Sequence, residues 1–241
     1  MFKYSSRFWL YAPTLLFLTL AIAVMIHWRL AANAFEQRLA ALKGHEAIPG
    51  VTLDWTSVQV GGFPFRLDAD FTNFRITGAG AHGPAAWTAE KFALHALTYG
   101  RSQTVYEAAG RQKVNWTGAD GSSHAASFLP GSMRGSSILD SQGLKRFDLD
   151  IVDMAGQDFA FTRFQFHMRR GATGLDLMLA DSLAKTANFQ VFASLSQAGA
   201  WASLLRGEMS WPQADAEWRA KGGKANLSQV IGMPPDLSPL Y

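Results

Sequence analysis

The chain of 241 residues contains no cysteine. That absence excludes disulfides, thiolate nucleophiles and cysteine-ligated zinc. Charge is also scarce: Asp, Glu, Lys and Arg make up 17% of the residues, against about a quarter in an ordinary soluble domain. The balance is only +3, too small an excess to suggest nucleic acid as a partner. Catalytic signatures are missing too. There is no Gly-x-Ser-x-Gly elbow, no His-Glu-x-x-His, and no Gly-x-Gly-x-x-Gly or phosphate loop following a strand. The six histidines, His27, His45, His82, His95, His124 and His167, show no metal-ligand spacing. No cofactor and no metal are expected, and the chain reads as a non-enzymatic protein.

What is present begins with an apolar run, Phe8 to Trp28, that holds no Asp, Glu, Lys or Arg. About 20 residues at roughly 1.5 Å each cross the hydrocarbon core of a bilayer. Lys3 and Arg7 precede the run without an acid, so residues 1–7 are expected in the cytoplasm and the remainder outside. This predicts a single-pass inner-membrane protein with a periplasmic C-terminal part. Trp9, Tyr11 and Trp28 suit the two interfacial belts. The alternative is a cleaved signal peptide, because Ala32-Asn33-Ala34 has a small-x-small pattern that would start the mature chain at Phe35. The retained anchor is the reading taken here, since the run is longer than a signal peptide's apolar core and ends in His27-Trp28-Arg29. Residues 29–48 read as a helical spacer, with Phe35, Leu39 and Leu42 on one stripe and Gly44 as the stop.

From Val51 the period becomes that of strands. Val51, Leu53 and Trp55 alternate, then Val58 and Val60 with opposite parity, which predicts an irregularity at Thr56-Ser57. After Gly61-Gly62 comes a run with Phe63, Phe65, Leu67, Ala69 and Phe71 on one face and Arg66, Asp68 and Asp70 on the other. Pro64 marks the start or the edge of that strand. Further alternation appears at Phe92-Leu94-Ala96, Val114-Trp116, Ala126-Phe128, Phe147-Leu149-Ile151, Leu175-Leu177-Leu179 and Phe189-Val191-Ala193-Leu195. The segment Phe159, Phe161, Phe164, Phe166 and Met168 flips parity across Thr162-Arg163. Strand follows strand without the alternation of a βαβ fold, so the expectation is mainly β. One antiparallel β-rich domain, a curved sheet or a sandwich, should run over residues 51–227. Short helices are expected at Gly199–Arg206 and Asp215–Ala220, and residues 228–241 should form a loose tail. The cluster Asp148, Asp150, Asp153 and Asp158 lacks the Gly and terminal Glu of a calcium loop and reads as a solvated strand face. No strict internal repeat is visible.

The run Gly61-Gly62-Phe63-Pro64-Phe65-Arg66, shortly after an anchor and a first strand, resembles the bacterial envelope family known as domain of unknown function 2125. Trp87-Thr88-Ala89-Glu90-Lys91 and Trp218 through Leu227 are similar to two further segments of that family. The family pattern continues with more strands after the Gly222-Gly223 segment, whereas this chain stops at Tyr241. The resemblance implies no established activity. It implies a β-rich exported part similar in style to the AsmA/TamB-like group, whose curved sheets carry lipids across the envelope. Together these readings give an uncharacterised envelope protein whose β-domain binds lipid or another envelope component. Phe63, Phe65, Arg66, Phe164 and Phe166 are the candidate ligand-binding residues. The alternatives are an assembly partner in an envelope protein complex, pairing through a strand edge near Pro64, and a hydrolase with an unrecognised site.

Overall fold

The computed structural model describes residues 6–98, 102–156, 160–172, 174–182 and 188–231. Tyr99, Asp158, Phe159 and the Pro-rich stretch from Met233 lie outside the described residues.

A single helix, α1, runs from Ser6 to Leu42. It merges the expected membrane segment and spacer into one rod of about 55 Å at about 1.5 Å per residue. It passes through Pro13, the eighth residue of the helix and past the first turn, where proline is best tolerated. It is long and apolar enough to cross a membrane, and 6% of its most apolar window is buried. Leu15, Leu16 and Phe17 are exposed. Its last turns differ. Ala32 and Leu39 are buried, and Phe35 and Leu42 pack beside Leu39. Gly44, with φ of 73°, ends it, a left-handed position suited to glycine.

Among the described residues thirteen strands follow, all in one antiparallel sheet. They are β1 (Glu46–Ile48), β2 (Val51–Asp54), β3 (Ser57–Gly61), β4 (Arg66–Ala79), β5 (Pro84–Leu97), β6 (Gln103–Thr117), β7 (Ser123–Leu129), β8 (Ser132–Asp140), β9 (Gly143–Gly156), β10 (Ala160–Arg170), β11 (Leu175–Ser182), β12 (Asn188–Leu195) and β13 (Ala225–Ile231). Two helices, α2 (Ala198–Leu205) and α3 (Trp211–Ala220), stand between β12 and β13. A Ser210 cap with Gln213 and a proline in the first turn start α3, a capping box. The sheet continues four residues past the expected domain limit at Leu227, so residues 228–231 are strand rather than tail.

The fold is mainly β, a curved single sheet and not a sandwich. Its register explains the alternation in the sequence. Val60, Ala69, Leu94, Tyr106, Gly135, Leu149, Phe166, Leu179, Val191 and Val230 pair in one row across ten strands. The adjacent row, turned to the other face, includes Asp68, His95, Ser136, Asp148 and His167. One face is therefore apolar over most of the sheet, and the other is mostly polar from β4 to β10, with Met178 and Phe192 beyond.

The sheet curls strongly toward the apolar face. Six strand steps separate β1 from β9, about 28 Å if flat. Yet the backbone of Leu205 lies against Gly143 at the start of β9, while Gly207 lies against Ile48 of β1. Two residues of chain reach at most about 7 Å. The turn after α2 thus bridges two distant strands, which only a curled sheet allows.

Both helical parts roof the apolar face at its margins. Leu39 of α1 joins Trp55, Phe71 and Phe74. Trp201 and Leu205 of α2, with Ala214 of α3, pack on Leu175, Leu195 and Met168. Between them lies a third cluster, Phe128, Ile151, Met154 and Phe161.

A repeat that the sequence hides is visible in the pairing. β2 and β3 form one interrupted strand against β4, in unbroken register. β7 and β8 form another against β9. At each interruption the facing strand has a residue with φ of 51°, Asn73 in one and Asp153 in the other. Each break is bridged by a backbone bond, Thr56 N–H to Thr72 O and Gly131 N–H to Val152 O. Five residues earlier stands Asp68 or Asp148, each in an Arg-x-Asp-x-Asp stretch and each opposite a histidine, His95 or His167. The unit β2–β5 recurs as β7–β10.

Candidate functional site

The middle of the apolar face, left bare between the two roofs, forms a hollow of about 330 Å³. Five strands line it: Ile76 of β4, Trp87 and Phe92 of β5, Tyr106 and Ala108 of β6, Met133 and Gly135 of β8, and Phe147 and Leu149 of β9. Parity places these side chains inward. It flips at Asn73 in β4, so that both Phe71 and Ile76 point in. It flips in β5 where the register shifts between Ala89 and Lys91. There Gly110, with φ of 74°, leaves room for Glu90, whose carboxylate accepts the Arg111 N–H at 2.9 Å. Phe92 stacks on Tyr106 with centroids 6.1 Å apart and meets Trp87 edge-on at 5.8 Å. Gly135 supplies the gap: its neighbours across the row are Tyr106 and Leu149. Polar groups are few here. The Tyr106 hydroxyl is 2.8 Å from the buried Ser137 hydroxyl, and the Trp87 indole N–H is buried with no partner among the described residues.

The sequence candidates fall in two places. Phe164 and Phe166 stand on the apolar face beside the hollow. Phe164 packs on the Phe128–Ile151–Met154–Phe161 cluster, and Phe166 lies 6.3 Å from Phe147, a wall residue. Phe63, Phe65 and Arg66 are elsewhere. Residues 63–65 form a turn before β4, so the two rings do not pack on the strand's inner face as their period suggested. Phe63 is 55% and Phe65 58% exposed. Pro64 precedes a strand paired on both sides, so it marks a strand start and not a free edge. Trp87, Phe92, Tyr106, Met133 and Leu149, which make the hollow, were not singled out as ligand residues. Their alternation was legible, but not which face would stay uncovered.

The polar face carries two matched ion clusters. Asp68 accepts from His95 Nδ1 at 2.8 Å and from Arg66 at 2.6 Å. Asp148 accepts from His167 Nδ1 and from Arg146, each at 2.7 Å. Partial burial by itself would raise both carboxyl pKa values. The hydrogen bonds from the facing histidine and the nearby arginine outweigh it and hold both below the ordinary value of 3.8. Asp150 is held by Arg163 through two bonds of 2.8 and 2.9 Å. Asp148 and Asp150 of the acidic stretch are thus paired with side chains from β9 and β10. Among the described residues no group of three His, Asp or Glu is placed to hold a metal ion. Among the described residues one Ser–His hydrogen bond is present: Ser122 Oγ is 2.7 Å from His124 Nε2. It sits at the β6–β7 turn, and Asp120 bonds to the serine, not to the histidine. That is a turn-closing arrangement and lacks the orienting carboxylate of a triad.

The geometry defines a class: a long apolar helix leading into one curled antiparallel sheet, with a hollow on its apolar face. The chain belongs to a bacterial family. A family model described as an uncharacterized protein conserved in bacteria (DUF2125) matches residues 28–232. No curated protein and no solved structure matches the chain.

Proposed function

We propose that this chain is a single-pass inner-membrane protein whose periplasmic sheet holds a lipid acyl chain in its hollow, by binding rather than catalysis. The observation that carries this reading is the apolar cavity, open between the two helical roofs. Its volume of about 330 Å³ falls within the range of ligand pockets. Burying an alkyl chain there gains about 0.8 kcal/mol per CH₂. The contacts that α1 makes before Ala34 support a retained anchor, because cleavage there would remove the Trp28–Arg66 hydrogen bond and the buried Ala32, leaving only Phe35, Leu39 and Leu42 against the sheet. The test uses the full chain in phospholipid nanodiscs with a photoactivatable palmitoyl lipid. Adducts should map to peptides containing Trp87–Phe92, Tyr106 or Leu149. Gly135→Leu, which fills the hollow, should reduce them by about tenfold, the effect of about 1.4 kcal/mol. Adducts unchanged in a folded Gly135→Leu protein would sink the idea.

A second reading, an assembly partner, is supported by β13. Among the described residues it has one pairing neighbour, β12, and its Leu227, Val230 and Ile231 are exposed. Such an edge can accept another strand. A photocrosslinker at Gln229 that returns only lipid or monomer would end this reading.

A further inference from the structure

We infer that the Gly62–Arg66 turn is a second membrane contact, inserting Phe63 and Phe65 into the outer leaflet beside α1. This rests on the proposed membrane span of α1 but not on what fills the hollow.

The turn is fixed on three sides. The Arg66 N–H closes onto Gly62 O at 2.9 Å. The Thr98 N–H and hydroxyl both donate to Phe65 O, at 3.0 and 2.9 Å. The Trp28 indole N–H donates to Arg66 O at 2.9 Å. Gly62, with φ of 95°, cannot be replaced, because a Cβ there would stand 2.7 Å from Arg66 O. Both phenylalanines are more than half exposed on this turn. The ring of Phe63 meets Trp28 edge-on at 5.5 Å.

Trp28 sets the depth. It is the last residue of the uncharged run, and Arg29 follows it. A tryptophan at that boundary marks the interface between hydrocarbon and headgroups. Phe63 touches that tryptophan, so the turn is held at the same level and not some distance above it. Leu97, paired with Arg66 at the same end of the sheet, is also exposed. Arg29, exposed on α1, suits the anionic headgroups that would surround these rings. Two rings left more than half exposed, on a turn fixed at the level of an interfacial tryptophan, have the bilayer itself as their partner. Their insertion adds a second attachment to the helix. The domain then cannot swing freely about α1, and one end of β4 is held at the membrane.

The lack of cysteine makes the test direct. The unaltered full chain is placed in vesicles of phosphatidylethanolamine and phosphatidylglycerol carrying a diazirine near the carbonyl end of one acyl chain. Adducts are expected on Phe63 or Phe65 as well as on α1. Adducts on α1 with none on the turn would overturn the inference. Adducts missing from both would overturn the membrane span along with it, whatever is found at Trp87 or Leu149. A spin label at Phe65→Cys should read a depth of about 5–10 Å below the phosphates. A label at Asp120→Cys, on the turn at the other end of β6, should read as aqueous. Two labels equally exposed to a water-soluble relaxant would likewise overturn it.

Discussion

Asp68 and Asp148 hold equivalent places in the two repeated units, and each owes its depressed pKa to the histidine opposite it and the arginine beside it. The consequence for stability has a definite sign. A carboxylate whose folded pKa lies below its unfolded value contributes stability above the unfolded value, near 3.8. It loses that contribution as pH falls through the folded value. The denaturation midpoint of the detergent-solubilised chain should therefore drop as pH is lowered from about 5 toward 3. In Asp68→Asn with Asp148→Asn that pH dependence should be shallower. An equally steep profile in the double variant would show that other carboxylates govern acid unfolding. Alternation in the sequence put these aspartates on the polar face. Their partners come from the next strand, and strand pairing is not written in local spacing.

At the scale of elements, the apolar run and its helical continuation were legible because both follow local rules, composition for the first and a three-to-four-residue stripe for the second. Their fusion into one rod from Ser6 to Leu42 follows from the lack of a breaker between them. The strands were legible where large residues alternate, as at Phe147-Leu149-Ile151. They were obscure in β6, where Ala108, Ala109 and Gly110 supply small residues. The breaks at Thr56-Ser57 and across Thr162-Arg163 were read from parity. The structure locates their cause in the facing strands, at Asn73 and Asp153, whose left-handed backbone turns both partners together so that register survives. The turn at Phe63-Pro64-Phe65 misled the pattern because it prolongs the period of β4 without belonging to it.

For the whole molecule, the curl decides what the apolar face becomes. A flat sheet of this pattern would need a second layer, whereas the curled one shelters its face with two small helical roofs. The closure depends on Gly207, with φ of 72°, beside Ile48. Gly207→Ala should cost about 1–2 kcal/mol, since a side chain there must adopt the left-handed conformation. It should also loosen the α2 turn from β1. Chemical denaturation followed by tryptophan fluorescence measures the first, and hydrogen exchange of β1 measures the second. An unchanged midpoint with unchanged exchange would show that the bridge does not hold the curl.

The sequence by itself determined the apolar helix, the β class, and which side of each strand is apolar, because these depend on composition and on neighbours one to four residues away. Only the tertiary structure decided that the described strands make one curled sheet, that its middle stays bare, and that Phe63 reaches Trp28 across 35 residues of chain. Those outcomes depend on register, accumulated twist and contacts between distant segments, which no local pattern encodes.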